Sequence, residues 1–114
     1  MHANIYDQFK EKLMKSYDNI KIGDPLDDST ICGPLMGENA VKIFVDGIEE
    51  IKKQGGKIIK GGKVINRIGY YVEPTLVEID PHAKIVQEEL FVPILYLFKF
   101  SNIEEAIKFN NSVP

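Results

Sequence analysis

Apolar residues recur along this chain at two periods, and the helical one is clearest in the middle. Val41, Phe44, Val45, Ile48 and Ile51 follow at steps of three and four, which places them on one face of an α-helix. Glu38 opens the stretch at the positive end of the helix dipole. Lys52 and Lys53 fall in its last turn, and Gly55-Gly56 supplies the stop. A first helix is expected to run from Asn4, as its cap, to Tyr17-Asp18-Asn19. Ile5, Phe9 and Leu13 would form its apolar stripe, with Tyr6 and Tyr17 beside it. A last helix is expected behind Ser101-Asn102-Ile103-Glu104, which has the form of a capping box. Ile103, Ala106 and Ile107 would be its apolar face, and Asn110 its end.

Between the helices the pattern turns extended. Ile20 to Ile22 is a short extended piece turned by Gly23-Asp24-Pro25, and residues 24–37 read as a loop. Lys57 to Lys60 is a short strand. Residues 61–69 are glycine-rich and polar, with a turn at Asn66-Arg67. Tyr70 to Ile79 is strand-like, although Pro74 prevents a regular central strand throughout. Asp80-Pro81-His82 breaks the chain again. Val92 to Phe100 is the strongest strand, an unbroken apolar run of the kind that is buried on both faces. Helix, strand, strand, strand, helix is a mixed α/β layer.

Composition excludes classes without choosing a function. The 114 residues are 44% hydrophobic and 27% charged, ordinary for one globular domain. The net charge of −3, with mixed signs, gives no basic patch for nucleic acid. The longest apolar run, Phe91 to Phe98, is too short to span a bilayer, and Met1-His2-Ala3-Asn4 does not begin a signal peptide. A single cysteine, Cys32, rules out an internal disulfide and makes a reducing compartment the default: cytoplasm, with mitochondria left open.

The chemistry concentrates at Glu88-Glu89-Leu90-Phe91-Val92-Pro93, two carboxylates beside a Phe and a Pro at the mouth of the strongest strand. Carboxylates there are either solvated or engaged with a ligand, and taken alone the solvated state is the commoner. Glu49-Glu50 reads as a solvated helix face. His2 and His82 lack partners at metal-ligand spacing. Gly61-Gly62 lacks the strand–loop–helix order of a phosphate loop, so both glycine pairs read as turn punctuation. Cys32, beside Gly33-Pro34, reads as a small structural hydrophobe.

Six motifs in order resemble the aldehyde dehydrogenase superfamily across nearly the whole chain. They are Gly23-Asp24-Pro25, Gly33-Pro34-Leu35, the pairs Gly55-Gly56 and Gly61-Gly62 around a strand, Gly69-Tyr70-Tyr71-Val72-Glu73-Pro74-Thr75, Glu89-Leu90-Phe91-Val92-Pro93, and Asn110-Asn111. The wording of the fourth, and of Pro93 to Phe100, is most similar to the antiquitin branch, the α-aminoadipic semialdehyde dehydrogenases. The family usually has Gly or Ala where this chain has Val92.

The resemblance implies a partial catalytic domain, an interior segment covering residues 1–114, with a mixed or mostly parallel sheet and flanking helices. The nucleotide-binding domain would lie outside it. It implies NAD or NADP as cofactor, with Glu89 on the ribose hydroxyls and Phe91 beside the nicotinamide. It implies a small aldehyde as substrate and a homo-oligomeric parent with neither nucleic acid nor membrane as partner. The family's nucleophile context, Gly-Gln-x-Cys, does not occur here, so this chain by itself is expected to be inactive and to hold no catalytic residue. A second reading stays open: a truncated remnant or interaction module of the same ancestry.

Overall fold

Helix α2 (Glu38–Lys53) occupies the span that the apolar period predicts. The structure, a computed structural model, describes residues 1–113; Pro114, the last residue of the expected segment, lies outside the described residues. Gly55 takes the left-handed conformation at φ 82°, donating its N–H to Lys52 O at 3.1 Å, while Gly56 N–H reaches Ile51 O at 2.8 Å. This pair of bonds satisfies carbonyls that the helix end would leave open. The chain then enters β1 (Lys57–Lys60) at once.

Strands β2 (Thr75–Glu78) and β3 (Ile94–Leu97) complete a mixed sheet in the order β1-β2-β3. Central β2 runs antiparallel to β1, with Ile58 opposite Val77, and parallel to β3, with Val77 opposite Tyr96. Side chains alternate between the faces of a sheet. On one face Ile51 of α2 meets Val77, Ile79 and Ile85, joined by Ile58, Ile94 and Tyr96. Phe44 and Ile48 of α2 pack with Val72 in a second cluster.

Helix α1 (Tyr6–Asp18) lies against the other face. The Tyr6 hydroxyl donates to Glu78 Oε1 at 2.8 Å and Lys10 Nζ donates to the same oxygen at 2.7 Å. Lys60 of β1 pairs with Asp18 at the far end of the helix. The Lys10 ammonium holds the Glu78 carboxyl below its ordinary range against the effect of burial. Burial, then Glu78, push the Tyr6 phenol well above its own. Helix α3 (Ile103–Asn110) sits beyond β3, with Phe109 edge-on to Phe98 at 5.5 Å.

The motifs quoted above turn out to be contacts. Gly62 N–H donates to Thr75 Oγ1 at 2.9 Å, and that hydroxyl donates to Glu73 O at 2.8 Å, which satisfies a fully buried threonine. Gly61, at φ 72°, passes so close that a Cβ would stand 2.4 Å from Pro74 O. Leu35 N–H donates to Tyr70 O at 2.7 Å. The glycine pairs thus stand where the chain leaves α2 and β1, and Gly61-Gly62 passes close under Pro74 and Thr75.

Several expectations need correction. Asn4 does not cap α1: it lies in a 3-10 turn, Ala3–Ile5, and donates its N–H to His2 Nδ1 at 3.2 Å. The buried residue of α1 is Tyr6, while Ile5 and Phe9 are exposed, because the Glu78 anchor turns Tyr6 and Lys10 inward. The last capping box is shifted by one residue. Asn102 Oδ1 accepts Glu105 N–H at 2.9 Å, and Glu105 Oε2 accepts Ser101 N–H at 2.7 Å. Asn caps as well as Ser, and Glu105 stands at the same spacing from Asn102 as Glu104 does from Ser101, so both boxes were available.

Strands β2 and β3 begin only after Pro74 and Pro93, and a 3-10 turn, Lys84–Gln87, precedes the second of these. Within this segment Leu97 is buried but Leu95 is exposed: α1 crosses from Glu78, beside Leu97, to Lys60 of β1 and leaves Leu95 of the edge strand uncovered. Past Leu97 the run meets Met1–Ala3 instead, through Phe100 N–H to Met1 O and Ala3 N–H to Phe100 O. Val45, expected in the core, is exposed.

Candidate functional site

The segment from Glu88 to Pro93 joins the Lys84–Gln87 turn to β3, and it is anchored at both ends. Ile85 is buried in the core and donates its N–H to Gln54 Oε1 at 3.0 Å, which ties the turn to the end of α2. At the other end Pro93 O accepts Thr75 N–H at 2.8 Å, in register with β2. Between these anchors the side chains alternate. Leu90 packs against the core cluster, while Glu89 and Phe91 on either side of it are exposed. Val92 goes inward again, against Phe44, Ile48 and Val72.

Phe91 adopts φ 53° and is the one non-glycine with positive φ among the described residues. Phe91 is 82% exposed and lines two grooves. One, of about 360 Å³, runs along Glu88, Glu89, Phe91, Pro93 and Tyr96. The other, of about 700 Å³, is largely apolar and lies between Phe91 and the start of α2, at Leu35, Met36, Ala40 and Ile43. No ion pair engages Glu88 or Glu89 among the described residues. The site therefore presents a solvated, unpaired carboxylate and a flat apolar wall two residues apart. Such a carboxylate can accept hydrogen bonds from two vicinal hydroxyls, and the ring can bound a planar group.

Sequence reasoning missed Tyr96. Its ring is half-buried, and its hydroxyl is buried with no partner among the described residues. Burial, and then the charge of Glu88, push that phenol above its ordinary range. Only its place in an apolar run was visible beforehand, and that signals packing.

The set-aside residues stay apart from this site. Cys32 is half-buried, its thiol is pushed up by burial, and its Sγ lies 3.7 Å from Gly33 O. A thiol held protonated is a poor nucleophile. His82 stacks edge-on against Phe109, and Glu50 accepts from Gln54 Nε2 at 2.8 Å. No group of three metal-binding side chains occurs among the described residues. No helix there is long and apolar enough to cross a membrane.

Comparison with known proteins matches residues 1–114 to the aldehyde dehydrogenase family. The chain is 50% identical over 114 residues to "Aldehyde dehydrogenase family 7 member A1" of Brassica napus, covering 100% of this chain and 23% of that protein. It is 46% identical to "Alpha-aminoadipic semialdehyde dehydrogenase" of Bos taurus, covering 99% of this chain and 21% of that one. An NAD+ complex of aldehyde dehydrogenase from Bacillus cereus superposes with a TM-score of 0.92 at 30% identity, over 98% of this chain and 23% of that one. The chain thus spans less than a quarter of the length of these relatives. The expected likeness to the antiquitin branch is met at high identity from end to end.

Proposed function

Since the chain belongs to the aldehyde dehydrogenase family, we propose that residues 1–114 are a single segment of the catalytic domain of an NAD(P)-dependent enzyme that oxidises an aldehyde to a carboxylate. The observation that carries this reading is the pair Glu89 and Phe91, exposed on either side of a half-buried, core-packed Leu90 at the edge of a groove. Glu89 would hold the cofactor's ribose by its two hydroxyls, and Phe91 would bound the nicotinamide. The residues fit the group: a solvated carboxylate without a protein partner suits a diol, and an exposed ring suits a flat heterocycle. Bound NAD(P) supplies the hydride acceptor; this chain's own part is to bind and orient it.

The nucleophile, the general base and the nucleotide-binding domain belong to the rest of such a parent, which the same reading makes a cytoplasmic or mitochondrial homo-oligomer. The purified 114-residue chain is expected to give no NAD-dependent oxidation above a no-protein control. Turnover that vanishes in Cys32→Ser would overturn the structural role given to that thiol. α-Aminoadipic semialdehyde, which names the Bos taurus relative, is the first aldehyde to assay in a full-length protein.

The decisive experiment places this segment in a full-length relative and compares Glu89→Gln with Glu88→Gln. Loss of a charged acceptor is worth about 1.5–3 kcal/mol, so Glu89→Gln should weaken NAD binding and slow hydride transfer while leaving the melting temperature nearly unchanged. Unchanged kinetics there, beside a damaging Glu88→Gln, would move the role to Glu88.

A further inference from the structure

Gly47 lies buried in the middle of α2 and has no positive φ, so the helix backbone does not require a glycine there. Alanine is the better helix former at such a position. What glycine provides is closeness. A Cβ at residue 47 would stand 2.9 Å from Leu90 Cδ1 and 3.9 Å from Ile94 Cδ1. Leu90 is the inward residue between Glu89 and Phe91, and its side chain also meets the cluster of Ile51, Val77, Ile79 and Ile85.

We propose that Gly47 is a positioning residue for the groove: its bare Cα forms the notch that seats Leu90, and the seated Leu90 holds Glu89 and Phe91 at the groove edge. The role of those two residues rests on the cofactor reading above; the seat itself does not. An added methyl meets Leu90 at Cδ1, the free end of a side chain that is packed against Ile51, Val77, Ile79 and Ile85, so that end has to give way within the cluster, and Leu90 has the left-handed Phe91 directly after it. The displacement therefore reaches the two exposed side chains, unless a rotamer change at Leu90 absorbs it all.

A double-mutant cycle separates these outcomes: the 114-residue chain, Gly47→Ala, Leu90→Val, and both together. Valine is shorter by one methylene and makes room for the alanine. The first readout is native-state cleavage after Glu88 and Glu89 by a glutamate-specific protease, resolved by mass and referred to cleavage at the exposed Glu104. Gly47→Ala should raise the relative cleavage about tenfold, and the double variant should fall below the product of the two singles. Fraying of α2 cannot cause that rise, because alanine strengthens the helix. Relative rates that simply multiply would overturn the proposal.

The second readout uses the same four variants in a full-length relative carrying this segment. Gly47→Ala should weaken NAD binding about tenfold, with recovery in the double variant. Unchanged NAD affinity in Gly47→Ala there would overturn the proposal, and decides alone if the shorter chain is cut at all sites together. NAD affinity indifferent to Glu89→Gln, beside a coupled cleavage cycle, would sink the cofactor reading and leave the seat of Leu90 intact.

Discussion

Two of the left-handed residues in this molecule, Gly55 and Phe91, are built in opposite ways. At the end of α2 the residue is Gly55, at φ 82°, with no side chain to oppose the conformation and two hydrogen bonds to Ile51 and Lys52 to fix it. At the candidate site it is Phe91, at φ 53°, whose ring stands in the open. A bulky side chain in that region is disfavoured by about 1–2 kcal/mol. The first turn serves the fold alone. The second keeps a strained aromatic out in solvent, which fits the binding wall proposed for it above. The scaffold of α2 and β2 and the Glu88–Pro93 segment should therefore respond to mutation in different ways.

The largest difference is expected between two phenylalanines. Phe44 is fully buried among Ile48 and Val72. Truncating a buried Phe to Ala costs about 3–5 kcal/mol, so Phe44→Ala should shift the urea midpoint strongly or unfold the chain. Phe91→Ala should leave that midpoint almost in place and, in a full-length relative carrying this segment, weaken NAD binding. Equal losses of stability in the two variants would erase the distinction between scaffold and site.

The left-handed turns themselves give the next effect, of about 1 kcal/mol and opposite sign. Gly55→Ala adds a methyl with nothing within 4 Å, so any loss is purely conformational, and a lower urea midpoint is expected. Phe91→Asn puts a residue that tolerates this region in place of one that does not, and the midpoint should rise. A fall in Phe91→Asn would mean that the ring is held by packing and that the backbone is not strained.

The same contrast explains what was legible in the sequence. Helix α2 and β1 were read correctly because a periodic apolar face, a dipole-matched charge pattern and a glycine stop all agree there. Tertiary contacts decided the misses. Nothing near Tyr6 in the chain announces Glu78, yet that bond turns α1 so that Ile5 and Phe9 face outward. Ser101 with Glu104 and Asn102 with Glu105 are equally spaced caps, so the sequence alone does not choose the second pair, which the structure uses. Strand β3 is shorter than the apolar run that predicts it, because the run includes Pro93 at one end and pairs with Met1 and Ala3 at Phe100 at the other. Glu89 and Phe91 are proposed through the resemblance of the surrounding motifs, since a carboxylate before a strand is ordinary on its own. The left-handed φ of Phe91, the orphan hydroxyl of Tyr96 and the notch at Gly47 leave no local signature, except that a lone glycine in a helix invites a question about packing.

The smallest expected effect tests whether charge, too, is divided between the two regions. Glu78 anchors α1 through Lys10 and Tyr6, whereas Glu88 and Glu89 have no ion pair among the described residues. The folded-state pKa of Glu78 is depressed, with the Lys10 hydrogen bond as the main cause. A group of this kind contributes stability that is fully present above its unfolded value, ordinarily 4.5, and is lost as pH falls through the lowered folded value. Partial exposure and salt keep the contribution small. Acid titration of urea stability should therefore fall more steeply below pH 4.5 in the parent chain than in Glu78→Gln, whose α1 has lost that titrating anchor. Glu89→Gln should leave the urea midpoint at neutral pH near that of the parent, since no ion pair engages Glu89 among the described residues. If Glu89→Gln lowered that midpoint instead, the groove carboxylate would be part of the scaffold, and the contrast between Gly55 and Phe91 would no longer mark a boundary between fold and site.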